Sequence, residues 1–291
     1  MGGIDGRAAT HETAPINGVL EALDLAETGP DTYTAPAFHG IDAPRSYGGQ
    51  LLAQALVAAA RTVASAIPAH SLHAYFLRGG DPRKDTAFAV RRLRDGRRLS
   101  SRSVEISQDE RVLATMTVSF AVPSEGLDHQ AAAPDVAPPD DLPTLVEWSG
   151  GHGADPEHLW DMPTVDTRVA PDTPPHGSTA WHRMAGAAPD DPALHQALLV
   201  YLSDVTTLAG ALVPHGMPLG VEERDGEVWD AVSLDHAVWF YRPVRADDWL
   251  LFVQDSPVAA DGRSLVRADV FGADGRLAAS LAQEGLFFRR G

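Results

Sequence analysis

Two long stretches of the chain carry apolar residues at three- and four-residue spacing, which predicts two helices. The first, GGQLLAQALVAAARTVASAI at 48–67, is rich in alanine and apolar on most faces, as buried helices are. The second runs over about 192–213 without an internal proline that would break it early. One residue interrupts its apolar stripe: Asp204 shares a face with Tyr201 and Leu208. Aspartate is a poor helix former and is costly to bury, so this carboxylate needs an explanation.

After each helix the pattern changes to strand-length apolar runs that are joined by turn residues, which is typical of an antiparallel meander. The runs lie at 72–78, 86–94, 99–108 and 111–123 in the first half, and at 230–242, 249–260, 264–272 and 276–288 in the second. A short helix at 16–25 and strands at 32–38 and 163–170 precede the two long helices. Residues 1–14 are predicted to be a disordered tail, and the Pro-, Asp- and Gly-rich segment 126–158 to be a linker.

The two halves resemble each other in sequence. GQLLAQALVAAARTVASAIP (49–68) lies over HQALLVYLSDVTTLAGALVP (195–214), AYFLR (74–78) over VWFYR (238–242), and DGRRL (95–99) over DGRSL (261–265). Each match is weak alone, but all occur in the same order, which indicates a duplication. We therefore predict an α+β fold, a double hotdog. Residues 15–125 and 159–291 each form a long helix wrapped by an antiparallel β-sheet, and the two sheets join within one chain.

The repeat also isolates polar residues that only the second half has. Asp204 lies over Ala58, Gln283 over Ser119, and Ser233 near Ala69. Asp204 is predicted to be in mid-helix, where capping does not explain it. One interpretation is a hydrogen-bonded polar pocket with a structural role. The other is a general base, since burial raises the pKa of an aspartate toward neutrality.

Composition and charge exclude several classes of function. The 291 residues are 44% hydrophobic, carry a net charge of −17, and include one lysine, Lys84, and no cysteine. Nucleic acids and anionic membranes need a basic face, so neither is an expected partner. The sequence contains neither an H-E-x-x-H motif, which would indicate a zinc site, nor a G-x-S-x-G elbow, which would indicate a serine hydrolase. No metal and no cofactor is therefore expected. Without a signal segment or an apolar run near 20 residues, the expected location is the cytoplasm, with no stable membrane insertion.

Several longer motifs resemble the type II acyl-CoA thioesterases, the TesB-type double-hotdog family. They are YGGQLLAQAL (47–56), HSLHAYFLRGGD (70–81), LVYLSDVTTLAGALVPHG (199–216), SLDHAVWFYRP (233–243) and LAQEGLFF (281–288). The resemblance implies hydrolysis of medium- to long-chain fatty acyl-CoA to the free acid and CoA, in a homo-oligomer such as a dimer or tetramer. It also implies that Asp204, Ser233 and Gln283 hold the attacking water. This chain departs from the family pattern in RGGD (78–81) and DHAVW (235–239), neither of which touches those three residues.

Further hypotheses concern the substrate and the reaction. The CoA phosphates need positive charge, and the candidate side chains are Arg78, Arg94, Arg97 and Arg98. The favoured alternative for each of them is a surface arginine in a salt bridge. An alternative reaction is that of a hotdog enoyl-CoA hydratase, which uses an Asp and a His five residues apart, as Asp190 and His195 are. Asp191 followed by Pro192 is also a good helix start, which favours a structural role for that segment. A non-catalytic acyl-CoA-binding protein is the second alternative.

Overall fold

A computed structural model describes residues 15–37, 44–64, 67–154, 162–171, 177–224 and 227–289. The predicted disordered tail, residues 1–14, lies outside the described residues. The first half contains α1 (Ile16–Leu23), β1 (Ala26–Gly29), β2 (Thr32–Ala35), α2 (Gly48–Ala60), β3 (Ala69–Phe76), β4 (Thr86–Asp95), β5 (Leu99–Gln108) and β6 (Arg111–Ala121).

The linker region and the second half follow. They contain α3 (Leu145–Gly151), β7 (Val165–Ala170), β8 (Gly177–Met184), α4 (Pro192–Leu202), β9 (Glu223–Arg224), β10 (Glu227–Ser233), β11 (Asp235–Phe240), β12 (Leu250–Ala260), β13 (Arg263–Gly272) and β14 (Leu277–Arg289).

The described strands form one antiparallel sheet that passes through both halves. Its order is β1-β2-β4-β5-β6-β3-β11-β14-β13-β12-β8-β7, with β10 paired to β14 and β9 to β10. The halves join between β3 and β11, where Tyr75 lies opposite Asp235 and His73 opposite Ala237. α2 and α4 pack against each other and share one core cluster, in which Leu52 and Leu198 are fully buried. The predicted double hotdog is therefore confirmed, while the predicted domain bounds stay predictions because the core is continuous.

The second long helix is shorter than predicted. α4 ends at Leu202 rather than near Val213, and two 3-10 turns follow at 208–211 and 213–215. Polar side chains compete with the helix backbone at this point, because Ser203 Oγ lies 2.8 Å from Val200 O and Thr207 Oγ1 donates to Ser203 O. α2, in contrast, still includes the matched position Ala58. Asp204 consequently lies in a turn beyond the helix, and the mid-helix prediction for it is wrong.

The sequence match of Gln283 with Ser119 is also wrong by one residue. Gln283 is fully buried, whereas Ser119 is half-buried on the other face of its strand. Successive side chains of a strand alternate between faces, so a shift of one residue exchanges the faces. The inward-facing counterpart is Val118, which lies opposite Leu72 just as Gln283 lies against His236.

The predicted linker is packed against the second half over much of its length. α3 begins with a capping box in which Thr144 and Glu147 exchange hydrogen bonds. Leu142 joins a small apolar cluster with Trp181, and the Trp181 indole N–H donates to Ala137 O at 3.1 Å. Among the described residues, no helix is long and apolar enough to cross a membrane.

Candidate active site

Asp204 is held by the start of the first half's long helix. The backbone N–H of Gly49, in the first turn of α2, donates to Asp204 Oδ2 at 2.8 Å. This contact satisfies a helix-terminal donor and places the carboxylate at the positive end of the helix dipole. The expectation that capping plays no part was therefore wrong, since Asp204 caps a helix of the other half.

Glycine is required where α2 approaches this carboxylate. A Cβ added to Gly48 would lie 2.7 Å from Asp204 Oδ2 and 3.1 Å from the Phe76 ring. A Cβ on Gly49 would lie 2.7 Å from Tyr201 O. The GGQ sequence at the start of the helix therefore permits the close contact between the two halves.

Ser233 and Gln283 meet where β14 changes its neighbour. β14 pairs with β11 through Ala282 and with β10 from Gly285 onward, and the last residue of β10 is Ser233. The Leu234 N–H donates to Glu284 O at 2.8 Å and thereby fixes the crossing between β10 and β11. Gln283, one residue before Glu284, is thus aimed at both Ser233 and the turn after α4.

The structure brings Asp204, Ser233 and Gln283, the three site residues predicted from the sequence, into one hydrogen-bonded cluster, while their catalytic role stays a prediction. Gln283 Nε2 donates to Asp204 Oδ1 and to Ser233 Oγ, each at 2.8 Å. Asp204 and Ser233 are both half-buried, whereas Gln283 is fully buried. Both amide hydrogens of Gln283 are used, so the remaining hydrogen-bonding capacity lies with the Asp204 carboxylate and the Ser233 hydroxyl.

The pKa of Asp204 is raised because burial outweighs the interactions that stabilise its charge. Burial raises the pKa of Asp204, while His236 and the hydrogen bonds from Gln283 and Gly49 act in the opposite direction. Nearby, burial and the Asp204 charge raise the pKa of Tyr47 well above its usual value. The Tyr47 hydroxyl stays protonated and donates to Tyr201 O at 2.7 Å.

His236 also belongs to this cluster, although it is not among the site residues predicted from the sequence. His236 Nδ1 lies 3.1 Å from Gln283 Oε1, and Nε2 lies 2.8 Å from Ser203 Oγ. Its imidazole is 1% exposed. The signal that could have found it is the repeat, because the matched position of the first half is the apolar residue Leu72.

The four arginines proposed for the CoA phosphates lie near opposite ends of the strands of the first half. Arg78 is two residues beyond Phe76, on the side of Asp204, and its Nη1 donates to Val112 O at 2.9 Å. The remaining three flank the β4–β5 turn: Arg94, Arg97 and Arg98. That turn lies beside the Ala69 end of β3, about 23 Å along the strand from Phe76 at ~3.3 Å per residue.

The alternative pair, Asp190 and His195, does not form a comparable site. The Asp190 side chain is 93% exposed and pairs with Arg245 at 3.0 Å. His195 is buried, and its Nδ1 accepts from Ala246 N at 3.1 Å. Asp191 caps α4 as its sequence suggests, by accepting from Ala193 N. In the described part of the chain, no group of three or more His, Cys, Asp or Glu side chains is placed to hold a metal ion.

Comparison with known proteins agrees with this fold and identifies the family. The protein-family model described as acyl-CoA thioesterase matches residues 168–286, and the model described as acyl-CoA thioesterase N-terminal domain matches residues 36–121. Human acyl-coenzyme A thioesterase 8 is 34% identical over 267 residues, which cover 84% of this chain and 81% of that protein. Acyl-CoA thioesterase 2 of Haemophilus influenzae is 33% identical over 253 residues, covering 82% of this chain and 86% of that protein.

A solved structure gives the same picture in three dimensions. The acyl-CoA thioesterase II TesB2 from Mycobacterium marinum superposes with a TM-score of 0.78 at 36% identity, covering 94% of this chain and 98% of that one. The sheet, the paired helices and the polar cluster define a double-hotdog protein with its candidate site where the two halves meet. Within that class, the chain belongs to the type II acyl-CoA thioesterase family.

Proposed function

We propose that this protein hydrolyses acyl-CoA thioesters with a water molecule that Asp204 activates. The observation that supports it is the hydrogen-bonded cluster of Asp204, Gln283 and Ser233 at the contact between the two halves. The family relationship supplies the substrate class, since the relatives are named for acyl-CoA thioester hydrolysis. The proposed enzyme is a thioester hydrolase that uses no cofactor.

The mechanism follows from the hydrogen bonds that remain available. The ionised Asp204 carboxylate accepts a proton from the water, and the Ser233 hydroxyl donates to the water oxygen. The oxygen forms a bond to the thioester carbon, and the carbon–sulfur bond then breaks. Gln283 holds Asp204 and Ser233 at a fixed separation rather than contacting the water, because both of its amide hydrogens are already donated.

The leaving group suits this small set of residues. A thiol has a pKa near ~8.5, so CoA departs as a thiolate with little help from an acid. The proton that Asp204 accepted returns to the thiolate or to solvent, which restores the carboxylate. No covalent acyl–enzyme intermediate is required.

Purified protein mixed with acyl-CoAs of increasing chain length, with free thiol followed over time, tests this function. We expect thiol release and a loss of release in the Asp204→Asn variant. The absence of thiol release from every acyl-CoA would contradict the proposal. Hydration of crotonyl-CoA that depends on Asp190 and His195 would instead support the hydratase alternative.

Three finer expectations belong to the same proposal. The acyl chain is medium to long, the protein forms a homo-oligomer such as a dimer or tetramer, and it works in the cytoplasm. The name of one relative gives another compartment, since a 24% identical protein of Saccharomyces cerevisiae is called peroxisomal acyl-coenzyme A thioester hydrolase 1. Light scattering and cell fractionation measure the last two properties.

A further inference from the structure

His236 is a buried imidazole that the hydrolytic mechanism does not use. It lies on β11 and is 1% exposed. Nδ1 faces Gln283 Oε1 at 3.1 Å, and Nε2 faces Ser203 Oγ at 2.8 Å. His236 thus connects the strand that carries Gln283 to the residue that precedes Asp204.

The orientation of the Gln283 amide matters for the site. An amide has almost the same shape after a 180° flip, so packing alone does not select one orientation. In the orientation described, the NH2 group faces Asp204 and Ser233. The flipped amide would turn Oε1 toward the Asp204 carboxylate, and two acceptors would then face each other.

We propose that His236 is the positioning residue that selects this orientation, by donating its Nδ1–H to Gln283 Oε1. The proposal rests on the proposed function, because it assigns His236 a role in the same site. A donor at Nδ1 makes the flipped amide unfavourable, since the flip would bring two N–H groups together. The Ser203 oxygen lies 2.8 Å from both Val200 O and His236 Nε2, and its single hydrogen is then directed to Nε2, which carries no proton.

The burial of His236 favours a neutral ring that carries one proton. Burial lowers the pKa of His236, although Asp204, Asp235 and the Gln283 hydrogen bond all favour its protonated form. The ring is therefore neutral at neutral pH. The Gln283 carbonyl needs a donor, which assigns the single proton to Nδ1.

The first half of the chain provides a comparison without this polar pair. The positions that match His236 and Gln283 hold Leu72 and Val118, which are both fully buried and lie opposite each other. The same architecture therefore forms around two apolar side chains. This comparison indicates that the polar pair serves the site of the second half, and it supplies conservative substitutions for a test.

The first experiment compares His236→Leu with His236→Asn by steady-state kinetics on one acyl-CoA. Asparagine places an N–H close to the position of Nδ1, whereas leucine has no donor. We expect kcat of His236→Leu to fall by about 10- to 100-fold with KM unchanged, the usual effect of losing one positioning hydrogen bond. His236→Asn should recover most of kcat. Equal loss in both variants, or a change in KM alone, would overturn the proposal.

A double-variant cycle shows whether His236 acts through Gln283. The variants are His236→Leu, Gln283→Val and both together, and the double variant reproduces the apolar pair of the first half. We expect the double variant to be no slower than Gln283→Val, because the amide to be positioned is already absent. Effects that multiply would contradict the proposal. If Asp204→Asn and Gln283→Val lose activity but His236→Leu does not, the proposed function survives and only the positioning role fails.

The position of the proton on the His236 ring can also be measured in the unmodified protein, so this test does not depend on the folding of a variant. Long-range 15N–1H spectra distinguish a protonated ring nitrogen from an unprotonated one. We expect His236 to carry its proton on Nδ1 at neutral pH. A neutral ring with the proton on Nε2 would show that it does not donate to Gln283, and would overturn the inference.

Discussion

The backbone N–H of Gly49 donates to the Asp204 carboxylate across 155 residues of sequence, at 2.8 Å. The contact joins the start of one half's long helix to the turn that ends the other half's helix. Asp204 is therefore both a helix cap and the proposed base. A substitution that removes the carboxylate affects both roles, so two substitutions are needed to separate the loss of the base from the loss of the cap.

Asp204→Asn should abolish hydrolysis and leave the fold largely intact. Asparagine keeps one oxygen, which can accept from Gly49, while its NH2 group then faces the Gln283 amide in place of Oδ1. It is not basic, and losing a general base costs about 10²- to 10⁴-fold in rate. Asp204→Ala should lose the same activity and, in addition, about 0.5–2 kcal/mol of stability, because a cap is removed. Thiol release and thermal unfolding of both variants measure the difference.

The matched control is Asp190→Asn, which alters an exposed aspartate just before α4, the helix that Asp204 follows. It should leave thiol release unchanged. Equal activity losses in Asp190→Asn and Asp204→Asn would contradict the assignment of the base.

The pH dependence of the reaction should show an acid limb that belongs to Asp204. Burial raises the pKa of this carboxyl above its ordinary value of 3.8, so activity falls as pH decreases through that raised value. Stability changes in the opposite direction. The folded state binds the Asp204 proton more tightly than the unfolded chain, so the free energy of unfolding decreases as pH rises between 3.8 and the raised pKa.

A profile of kcat/KM against pH checks the limb, and denaturant unfolding at several pH values checks the linked change in stability. Asp204→Asn should remove this contribution to the pH dependence of stability. A wild-type acid limb at or below the ordinary aspartate pKa would contradict the raised pKa.

Much of this arrangement could be predicted from the sequence, and the errors have local physical causes. The duplication indicated the fold and identified Asp204, Ser233 and Gln283 as residues that only one half has. The apolar pattern continues past Leu202, so periodicity alone did not show that the Ser203 and Thr207 side chains compete for the helix backbone there.

Two further features depend on contacts between distant residues. The cap from Asp204 to Gly49 joins the two halves, and no local pattern predicts it. The register of β14 decides whether Gln283 corresponds to Ser119 or to Val118. The sequence match between these two strands is weak, so the alignment of their residues was uncertain by one position. Since one residue exchanges the faces of a strand, only the three-dimensional pairing identified the buried counterpart.

Gly48→Ala should impair the site without removing any polar group. The added methyl group would lie 2.7 Å from Asp204 Oδ2, so either the carboxylate or the helix must move. A displacement of this kind lowers kcat/KM by about 10- to 100-fold. Gly150→Ala is the control, because the same methyl on α3 meets no atom within 4 Å. If both variants keep full activity, the close approach of α2 is not needed for catalysis.

Arg78→Gln should weaken binding of the CoA part of the substrate, whereas Arg97→Gln should not. Arg78 lies just beyond Phe76 at the Asp204 end of β3, while Arg97 lies in the turn beside the opposite end. A phosphate contact raises KM for acyl-CoA when its cation is removed, with little change in kcat, because the contact is the same in the ground and transition states. We expect a several-fold increase in KM for Arg78→Gln.

The matching acyl-pantetheine, which has no phosphate, should be hydrolysed equally by both variants. An increase in KM for Arg97→Gln, or the same increase with both substrates, would show that the phosphates bind elsewhere.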